Sequence, residues 1–427
     1  MDVSFADRFP TLAVDTVPEP CPNPELVLLN EPLARDLGLN PEQLRTPEGL
    51  AFLTGTAPLQ ASDAFRPVAQ AYAGHQFGHF SGMLGDGRAV LLGALGTGDA
   101  AREVHLKGTG RTVFSRGGDG KAPLGPMLRE YVIGEALHAL GIPTTRALAV
   151  LRTGETVLRE RPQPGAILVR TARSHLRVGT MQCAAMSTEQ GLLENLVAAA
   201  GASSAHDLLR TTATRQAELI AQWMSVGFVH GVMNSDNMLL SGESIDFGPC
   251  AFIDEFSRAA VFSSIDQQGR YAYRNQPAIG QWNLARLAEA LLPLIDSNPD
   301  SAVETATGVL HEYEQTYAQA RARLFSAKLG EELTPEGVDE LLERMERERV
   351  DFSGFFREQN PARPNPVSIP RTGHLQRALD AAEQRDLAPL QELLAAVTDP
   401  FTQRAEFAHL ERPRPEDSPT PTTFCGT

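Results

Sequence analysis

The sequence of 427 residues predicts an α+β protein of two lobes, strand-rich in the first half and helical in the second, with an extension at each end. Short apolar runs divided by glycines fill residues 68–110, a pattern typical of strands joined by tight turns. Beyond residue 280 the apolar residues recur with helical spacing. The predicted divisions follow these changes in composition: an N-terminal extension over 1–65, an N-lobe over 66–180, a C-lobe over 181–300 and a C-terminal extension with helices and a flexible tail over 301–427.

The N-terminal extension is expected to be irregular because it is rich in proline, with one short helix at residues 31–37. The clearest helix of the first half is GPMLREYVIGEALHALGIP, residues 125–143, in which apolar residues recur every four positions from Leu128 onward. Gly141 and Pro143 are expected to end this helix.

A second amphipathic helix, TRQAELIAQWMSVG at residues 214–227, leads into the centre of the chain. One of its faces is apolar and consists of Leu219, Ile220, Trp223 and Met224. Gly227 is expected to end it shortly before His230. Further helices are predicted in QWNLARLAEALLPLI, LTPEGVDELLERMERERV and LQRALDAAEQRDLAPLQELLAAV.

Composition and charge restrict the functional classes. Hydrophobic residues make up 42% of the chain and charged residues 21%, which is ordinary for a soluble globular protein. The formal net charge of −15 repels nucleic acid and anionic membranes. The N-terminus resembles no signal peptide, and no apolar run approaches the ~18 residues that a membrane helix needs. We therefore expect a cytoplasmic protein with neither nucleic acid nor membrane as a partner.

The segment HGVMNSDNMLLSGESIDFGP, residues 230–249, resembles the centre of a protein kinase. Kinases carry H-R-D-x-x-x-x-N followed by D-F-G, in which the first Asp orients the attacking hydroxyl while the Asn and the second Asp bind metal. This spacing places the metal ligands at Asn237 and Asp246. Val232 stands where a kinase has its catalytic Asp, and a new carboxylate, Asp236, stands beside Asn237.

The residues between Asn237 and Asp246 consist of two short strand-like pieces around a Ser-Gly turn. We expect a tight hairpin that brings the amide and carboxylate oxygens side by side. Such oxygen ligands suit Mg²⁺ or Mn²⁺, which keeps waters and takes its other ligands from phosphate. The alternative is a polar loop in which Asn237 and Asp246 only form turns.

Basic residues suited to phosphate precede this segment. Lys107 ends a predicted strand, and Glu130 lies 23 residues further on, where we expect the first turn of the next helix. A buried Lys held by a helix Glu is how kinases place an ammonium against phosphate, and a solvated pair is the alternative.

The segment LVRTARSHLRVG adds a cluster of three arginines, Arg170, Arg173 and Arg177. Guanidinium groups bind phosphate bidentately, whereas paired surface arginines are the alternative.

Glycine-rich pieces are frequent in the first half, namely LGDGR, KGTGR and RGGDGK. Backbone N–H groups exposed by glycine can hold phosphate. None of these pieces fits G-x-x-x-x-G-K-[ST] or G-x-G-x-x-G, and each by itself is more often a turn.

Longer strings make the chain similar to the selenoprotein O family of kinase-fold proteins. The matching strings are AYAGHQFGHFSGMLGDGRAVLLG, LKGTGRTVFSRGGDGKAPL, REYVIGEALHALGIPTTRAL, HGVMNSDNM, DFGPCAFID and, more loosely, NPVSIPRTGHLQRALDAAE with FCGT. The resemblance implies a protein-kinase-like two-lobed fold that binds ATP in reversed orientation. It also implies transfer of AMP, rather than phosphate, to Ser, Thr or Tyr hydroxyls of protein substrates.

The resemblance assigns roles to individual residues. Asp236 corresponds to the catalytic base, and Asn237 and Asp246 correspond to the ligands of Mg²⁺ or Mn²⁺. Lys107 would hold a phosphate with Glu130 in support. The family's other nucleotide-binding positions fall on Gly85, Gly87, Arg88, Asp119, Gly120, Arg170 and Arg177.

The chain also departs from the family pattern. The helix has Met-Leu where the family usually has Ser-Ile before Arg-Glu, and IPRTGH differs from the usual Pro-Arg-Asn, which affects the substrate-facing details of the last hundred residues. The competing functions are an ordinary kinase, which Val232 disfavours, and a non-catalytic pseudokinase, which the retained Lys107 disfavours. UTP in place of ATP stays open.

Four cysteines are far apart in sequence and form no C-x-x-C pair, which disfavours a zinc site. Cys425 is third from the end, where some family members carry selenocysteine. By its position alone Cys425 could be an ordinary tail cysteine, whereas the resemblance implies a redox role. From its place in the tail we expect an intramolecular disulfide involving Cys425. Its partner is open, and Cys250, just after the D-F-G, is the candidate of most interest.

Overall fold

The computed structural model describes residues 5–59, 65–363, 365–413 and 423. Its strands are β1 Ala13–Asp15, β2 Glu25–Leu29, β3 Val68–Gln70, β4 Gly74–Gln76, β5 His79–Ser81, β6 Ala89–Leu95, β7 Arg102–Lys107, β8 Ala122–Pro123, β9 Arg146–Leu158, β10 Pro162–Ala172, β11 Phe228–Val229 and β12 Ala251–Phe252. Its helices are α1 Phe5–Arg8, α2 Glu31–Asp36, α3 Pro41–Leu44, α4 Pro47–Leu53, α5 Leu124–Ala139, α6 Val178–Ala185, α7 Leu192–Ala199, α8 Ala205–Ser225, α9 Gln276–Ile295, α10 Pro299–Leu329, α11 Pro335–Glu348, α12 Phe352–Gln359, α13 Thr372–Glu383 and α14 Ala388–Val397.

One eight-stranded sheet forms the first half of the chain, in the order β1-β3-β6-β7-β10-β9-β2, with β8 paired to β10. Its strand pairs are antiparallel. In the β7–β10 pair, Lys107 lies opposite Leu168 and His105 lies opposite Arg170. Because side chains alternate between the faces of a strand, Lys107, His105 and Arg170 share one face of this sheet.

Over residues 5–59 the N-terminal extension is not irregular, contrary to the expectation from its proline content. β1 pairs with β3 and β2 pairs with β9, so the extension supplies both edges of the sheet. The short helix expected at residues 31–37 is confirmed as α2, and α3 and α4 follow it. Prolines occupy the first turn of all three helices, where a missing N–H costs no hydrogen bond. These prolines therefore begin helices instead of excluding them.

Helices cover both faces of the sheet. On one face, α2–α4 bury Leu33, Leu44 and Leu53 against sheet residues such as Leu106. On the other face, α5 belongs to the large core that also contains Leu168. The predicted helix over 125–143 is confirmed, and the helical part ends at Ala139. From the C-terminal extension, α13 contacts α5.

The second half of the chain is helical, as predicted. α8 packs against α9 and α10. The apolar face predicted for α8 is buried at all four positions, Leu219, Ile220, Trp223 and Met224. After α8, Gly227 adopts a φ of 69°, and the chain enters β11 and the segment that begins at His230. Within the described residues, no helix is both long and apolar enough to span a bilayer.

Candidate active site

A cavity of about 740 Å³ opens between the sheet and the helical part, within the range of about 300–1,000 Å³ usual for ligand pockets. Its walls are formed by two glycine-rich segments, by the ends of β7 and β10, and by the segment that includes Asp236. The site residues predicted from sequence that line it are Gly85, Gly87, Arg88, Lys107, Asp119, Gly120, Arg170, Arg177, Asp236, Asn237 and Asp246. Glu130 is the predicted site residue that does not reach the cavity wall.

Lys107 and Glu130 form a buried ion pair and are not solvated. Lys107 Nζ contacts Glu130 Oε1 and lies 2.5 Å from Asp246 Oδ1. Lys107 and Glu130 are only 6% and 5% exposed. Glu130 lies in the second turn of α5, not the first as expected, because the helix begins at Leu124. From there it stands behind Lys107 and supports the ammonium from the side away from the cavity.

Two of the three predicted arginines enter the cavity. Arg170 Nη1 lies 2.9 Å from Asp246 Oδ1, and Arg177 Nη1 donates to the main-chain oxygen of Asp236 over 3.0 Å. The Arg177 guanidinium stacks on the ring of Tyr72 at 4.4 Å, and its Nε and Nη2 are buried without a hydrogen-bond partner. Arg173 lies apart from this pair. It is exposed and lines a separate cavity, so the predicted cluster of three is wrong in that member.

Asp236 presents a buried carboxylate to the cavity, with one oxygen unused. The residue is 7% exposed, and its Oδ1 has no hydrogen-bond partner. Its Oδ2 is 3.5 Å from Gln76 Nε2. Burial raises the pKa of Asp236 to about 6, against the opposing effect of Arg177. The backbone of Gly74 lies close to this oxygen: a Cβ atom on residue 74 would be only 2.6 Å from Asp236 Oδ1. Any residue other than glycine at this position would therefore displace the carboxylate.

The segment between Asn237 and Asp246 is a loop and not the hairpin that its sequence suggests. Its two halves pair with other parts of the chain: Leu239 bridges to Arg177, and Ser244 bridges to Thr144. The backbone groups of each half are satisfied by these outer segments, so no ladder forms within the loop. Asp246, at its end, has a φ of 65°, an uncommon conformation for a residue with a side chain.

Asn237 and Asp246 are suited to hold a divalent cation. Asn237 Nδ2 donates to the main-chain oxygen of Val232 over 3.1 Å, which leaves the amide oxygen for a ligand. Lys107 and Arg170 both bind Oδ1 of Asp246, which leaves Oδ2 for a cation. Burial would raise the pKa of Asp246, but Lys107, Arg170 and Arg177 hold it well below its ordinary value. The side chain is therefore a carboxylate at neutral pH.

A site of this kind depends on further ligands. Among the described residues, no group of three or more His, Cys, Asp or Glu side chains could hold a metal ion. One amide oxygen and one carboxylate are too few for a dedicated protein cage. They do match the way Mg²⁺ is bound through one or two protein oxygens together with phosphate and water.

The glycine-rich piece RGGDGK, residues 116–121, borders the cavity and contains a tight turn. Gly120 has a φ of 68°, and a Cβ atom there would lie 2.0 Å from the main-chain oxygen of Gly110. Asp119 does not point freely into the cavity, because Arg159 binds both of its oxygens at 2.8 and 2.9 Å. The hydrogen bonds from Arg159 lower the pKa of Asp119 to about 2. Asp119 thus contributes an ion pair that fixes the turn.

Several residues of the site were not predicted from the sequence. Asp86 stands between two predicted glycines, and His105 stands two residues before Lys107; both are buried beside the arginines. Tyr72 and Gln76 belong to the string AYAGHQFG, which carries the family resemblance without an assigned role. The alternation of β7 could have indicated His105, because it shares a face with Lys107. No sequence pattern links Arg159 to Asp119, because the two residues are 40 positions apart and meet only in the folded chain.

The structure describes Cys250 but not Cys425, so only one of the two cysteines predicted to pair can be examined. Cys425 lies outside the described residues, so its disulfide stays a prediction. Cys250 is fully buried, and its Sγ donates to the main-chain oxygen of Phe247 over 3.2 Å. Burial raises the pKa of the Cys250 thiol to about 12, which disfavours the thiolate needed for disulfide exchange. Thr423, in the same tail, donates to the main-chain oxygen of Pro249 over 2.7 Å.

The chain is similar to known proteins over nearly its whole length. The family model "Protein adenylyltransferase SelO" matches residues 5–376. The chain is similar to proteins named protein nucleotidyltransferase YdiU in several bacteria. The relative from Mycolicibacterium smegmatis is 46% identical over 475 residues, covering 99% of this chain and 97% of that protein. The relative from Geobacillus kaustophilus is 46% identical over 470 residues, covering 96% of each chain. The relative from Cereibacter sphaeroides is 44% identical over 480 residues, covering 100% of this chain and 99% of that protein. A match that spans most of the chain, with relatives of nearly the same length, shows that this protein belongs to the SelO family of protein adenylyltransferases.

Proposed function

We propose that this protein transfers AMP from ATP to Ser, Thr or Tyr hydroxyls of protein substrates and releases pyrophosphate. Asn237 and Asp246 hold Mg²⁺ or Mn²⁺, and Asp236 is the base. Lys107, Arg170 and Arg177 hold the phosphates of a nucleotide bound in the reversed orientation. The alternative nucleotide is UTP, from which the protein would transfer UMP.

One observation supports this reading most directly. Arg177 is 2% exposed, lines the cavity, and has two buried nitrogens without hydrogen-bond partners. A buried donor without a partner costs about 1–3 kcal/mol, and more when the group is charged. The carboxylate of Asp86 is 3.7 Å from Arg177 Nη2, beyond hydrogen-bond distance, so an anion in the cavity would stabilise the guanidinium further. The polyphosphate of a nucleotide matches it in charge and in the geometry of the guanidinium fork.

The position of the base separates AMP transfer from phosphate transfer. Val232, at the usual kinase position, is apolar and cannot accept a proton. Asp236 lies next to Asn237 and lines the cavity, and its buried Oδ1 has no hydrogen-bond partner among the described residues. The base therefore stands beside the residues that would hold the cation, Asn237 and Asp246. In a reversed nucleotide the α-phosphate would be the phosphate beside these residues.

In the proposed reaction, the acceptor hydroxyl oxygen forms a bond to the α-phosphorus, and the bond from that phosphorus to the bridging oxygen of the β-phosphate breaks. The hydroxyl proton passes to Asp236 Oδ1, and pyrophosphate leaves with the bonding electrons. Because the pKa of Asp236 is about 6, the side chain is mostly ionised at neutral pH and still basic enough to take the proton. Lys107, Arg170 and Arg177 oppose the charge that develops on pyrophosphate. A bound divalent cation would add further neutralisation of the phosphates.

Labelled ATP tests the reaction directly. With ATP labelled at the α-phosphate, we expect the label to reach protein, and with ATP labelled at the γ-phosphate we expect it to leave as pyrophosphate. The intact mass of the enzyme and of a mixed protein pool should rise by one adenylyl group per event. A phosphate-sized increase with the γ-label on protein would assign the chain to the ordinary kinases. The same assay with UTP compares the two nucleotides.

Arg177→Ala should lower the affinity for ATP by roughly 10- to 100-fold, the equivalent of one or two charged hydrogen bonds. The affinity for AMP should change little, because AMP lacks the terminal phosphates. Isothermal titration of both nucleotides in Mg²⁺ measures the difference. Arg173→Ala is the matched control, since this arginine comes from the same segment but lies outside the catalytic cavity. Equal losses for ATP and AMP would contradict the assigned role.

A further inference from the structure

We propose that Asp86 and His105 are a positioning pair for the two phosphate-binding arginines. His105 fixes Arg170 directly, and Asp86 accepts a hydrogen bond from His105 and faces Arg177 as an opposite charge 3.7 Å away. Neither residue touches the nucleotide in this proposal, which rests on the proposed function because it concerns the arginines that bind the terminal phosphates.

The hydrogen bonds of His105 define its tautomer. Its Nδ1 lies 3.2 Å from Arg170 Nε, and its Nε2 lies 3.1 Å from Asp86 Oδ2. An arginine Nε–H can only donate, so Nδ1 must be the acceptor. The proton of the neutral ring is then on Nε2 and is donated to Asp86. Arg170, His105 and Asp86 thus form a chain of hydrogen bonds with one direction.

The neutral state of His105 is stable over the physiological range. His105 is fully buried, and burial lowers its pKa to about 3 although Asp86 opposes this. The ring is also stacked on His175 at 4.5 Å, which restricts its rotation. A neutral imidazole can accept from Arg170 at all times, whereas an imidazolium would repel it. The pair therefore acts as a fixed support and not as a switch.

Asp86 connects the two arginines. Its Oδ2 accepts from His105 and from the main-chain N–H of Gln70 at 3.0 Å, and its Oδ1 lies 3.7 Å from Arg177 Nη2. Burial opposes ionisation, but His105 and Arg177 lower the pKa of Asp86 to about 2. One buried carboxylate therefore acts on Arg170 through the hydrogen bond with His105, and on Arg177 by charge across 3.7 Å.

The sheet provides the geometry for this arrangement. His105 and Arg170 are direct partners in the β7–β10 register, so their side chains leave the same face at neighbouring positions. With Nε engaged by His105 and Nη1 by Asp246, the guanidinium plane of Arg170 is defined by two contacts. Phosphate binding then loses less rotamer entropy than it would with an arginine that has no such contacts.

The test compares ATP with AMP in variants of His105 by isothermal titration. His105→Leu should weaken ATP binding by about tenfold while AMP binding stays within about twofold, as expected for the loss of a hydrogen bond that acts through Arg170. His105→Gln should recover most of the affinity, because a glutamine can accept from Arg170 and donate to Asp86. Thermal unfolding identifies any variant that fails to fold. If His105→Leu does not fold, Asp86→Asn provides the second measurement, with ATP affinity reduced and AMP affinity retained.

A double-mutant cycle separates positioning from general damage. In the Arg170→Ala background, His105→Leu should have no further effect on ATP binding. Additive losses, or equal losses for ATP and AMP, would overturn the positioning role. Failure of the proposed function gives a different result, in which the wild-type protein binds ATP no more tightly than AMP and Arg177→Ala has no effect. That result would overturn the positioning role as well.

Discussion

Asp246→Ala should remove AMP transfer, by at least roughly 10³-fold, and leave the protein folded. If Asp246 binds the cation as proposed, its loss leaves phosphate charge uncompensated in the transition state, which is worth several kcal/mol. The fold should persist because Asp246 is partly exposed and Lys107 keeps its contact with Glu130. The measurement is the rate at which label from the α-phosphate enters protein, with circular dichroism and thermal unfolding on the same samples.

Three further measurements test whether the loss of activity is due to the loss of the metal-binding carboxylate. Asp246→Asn keeps the shape of the side chain and loses its charge, so its activity should also be strongly reduced. Asp99→Ala removes an exposed carboxylate outside the cavity and should change nothing. Chelation of divalent cations should stop the wild-type reaction, and addition of Mg²⁺ or Mn²⁺ should restore it. Full activity in excess chelator, or in Asp246→Ala, would show that the metal assignment is wrong.

Asp236→Ala should lower the rate of AMP transfer by roughly 10²-fold or more while ATP binding remains within about twofold of the wild type. The carboxylate makes one weak contact, with Gln76 at 3.5 Å, and its Oδ1 has none, so its removal should cost little stability. The expected signature is a fall in kcat with an unchanged Kd for ATP. Single-turnover kinetics at saturating nucleotide separate the two.

Asp236→Asn is the control variant for size, because the amide fills the same space and cannot take the proton. We expect it to be as slow as Asp236→Ala. Wild-type rates in either variant would exclude Asp236 as the base. A loss of ATP affinity in proportion to the loss of rate would instead give this residue a role in binding.

Local signals predicted much of this protein. The helical periods of α5 and α8 are visible in the sequence, because burial of one helix face imposes a spacing on nearby residues. The kinase-like spacing from His230 to Gly248 identified Asn237 and Asp246, and both line the cavity. Lys107 and Glu130 were recognised as a pair only because a known pattern links them over 23 residues.

Other features depended on contacts between distant segments. The loop from Asn237 to Asp246 has the composition of a hairpin, but its halves pair with Arg177 and Thr144, which are far away in sequence. The proline-rich start was expected to be irregular and instead forms both edges of the sheet. In each case a partner outside the segment supplied the backbone hydrogen bonds that local propensity could not anticipate.

The sequence by itself determined the helical and strand-rich halves, the family, and the positions of the charged residues suited to nucleotide chemistry. Only the tertiary structure decided which of these residues meet: that Arg173 stands apart, that Asp119 is held by Arg159, and that His105 joins Arg170 to Asp86. Periodicity and motifs record interactions within one element. The register of β7 against β10 places His105 opposite Arg170, and this pairing is set by the packing of the whole sheet.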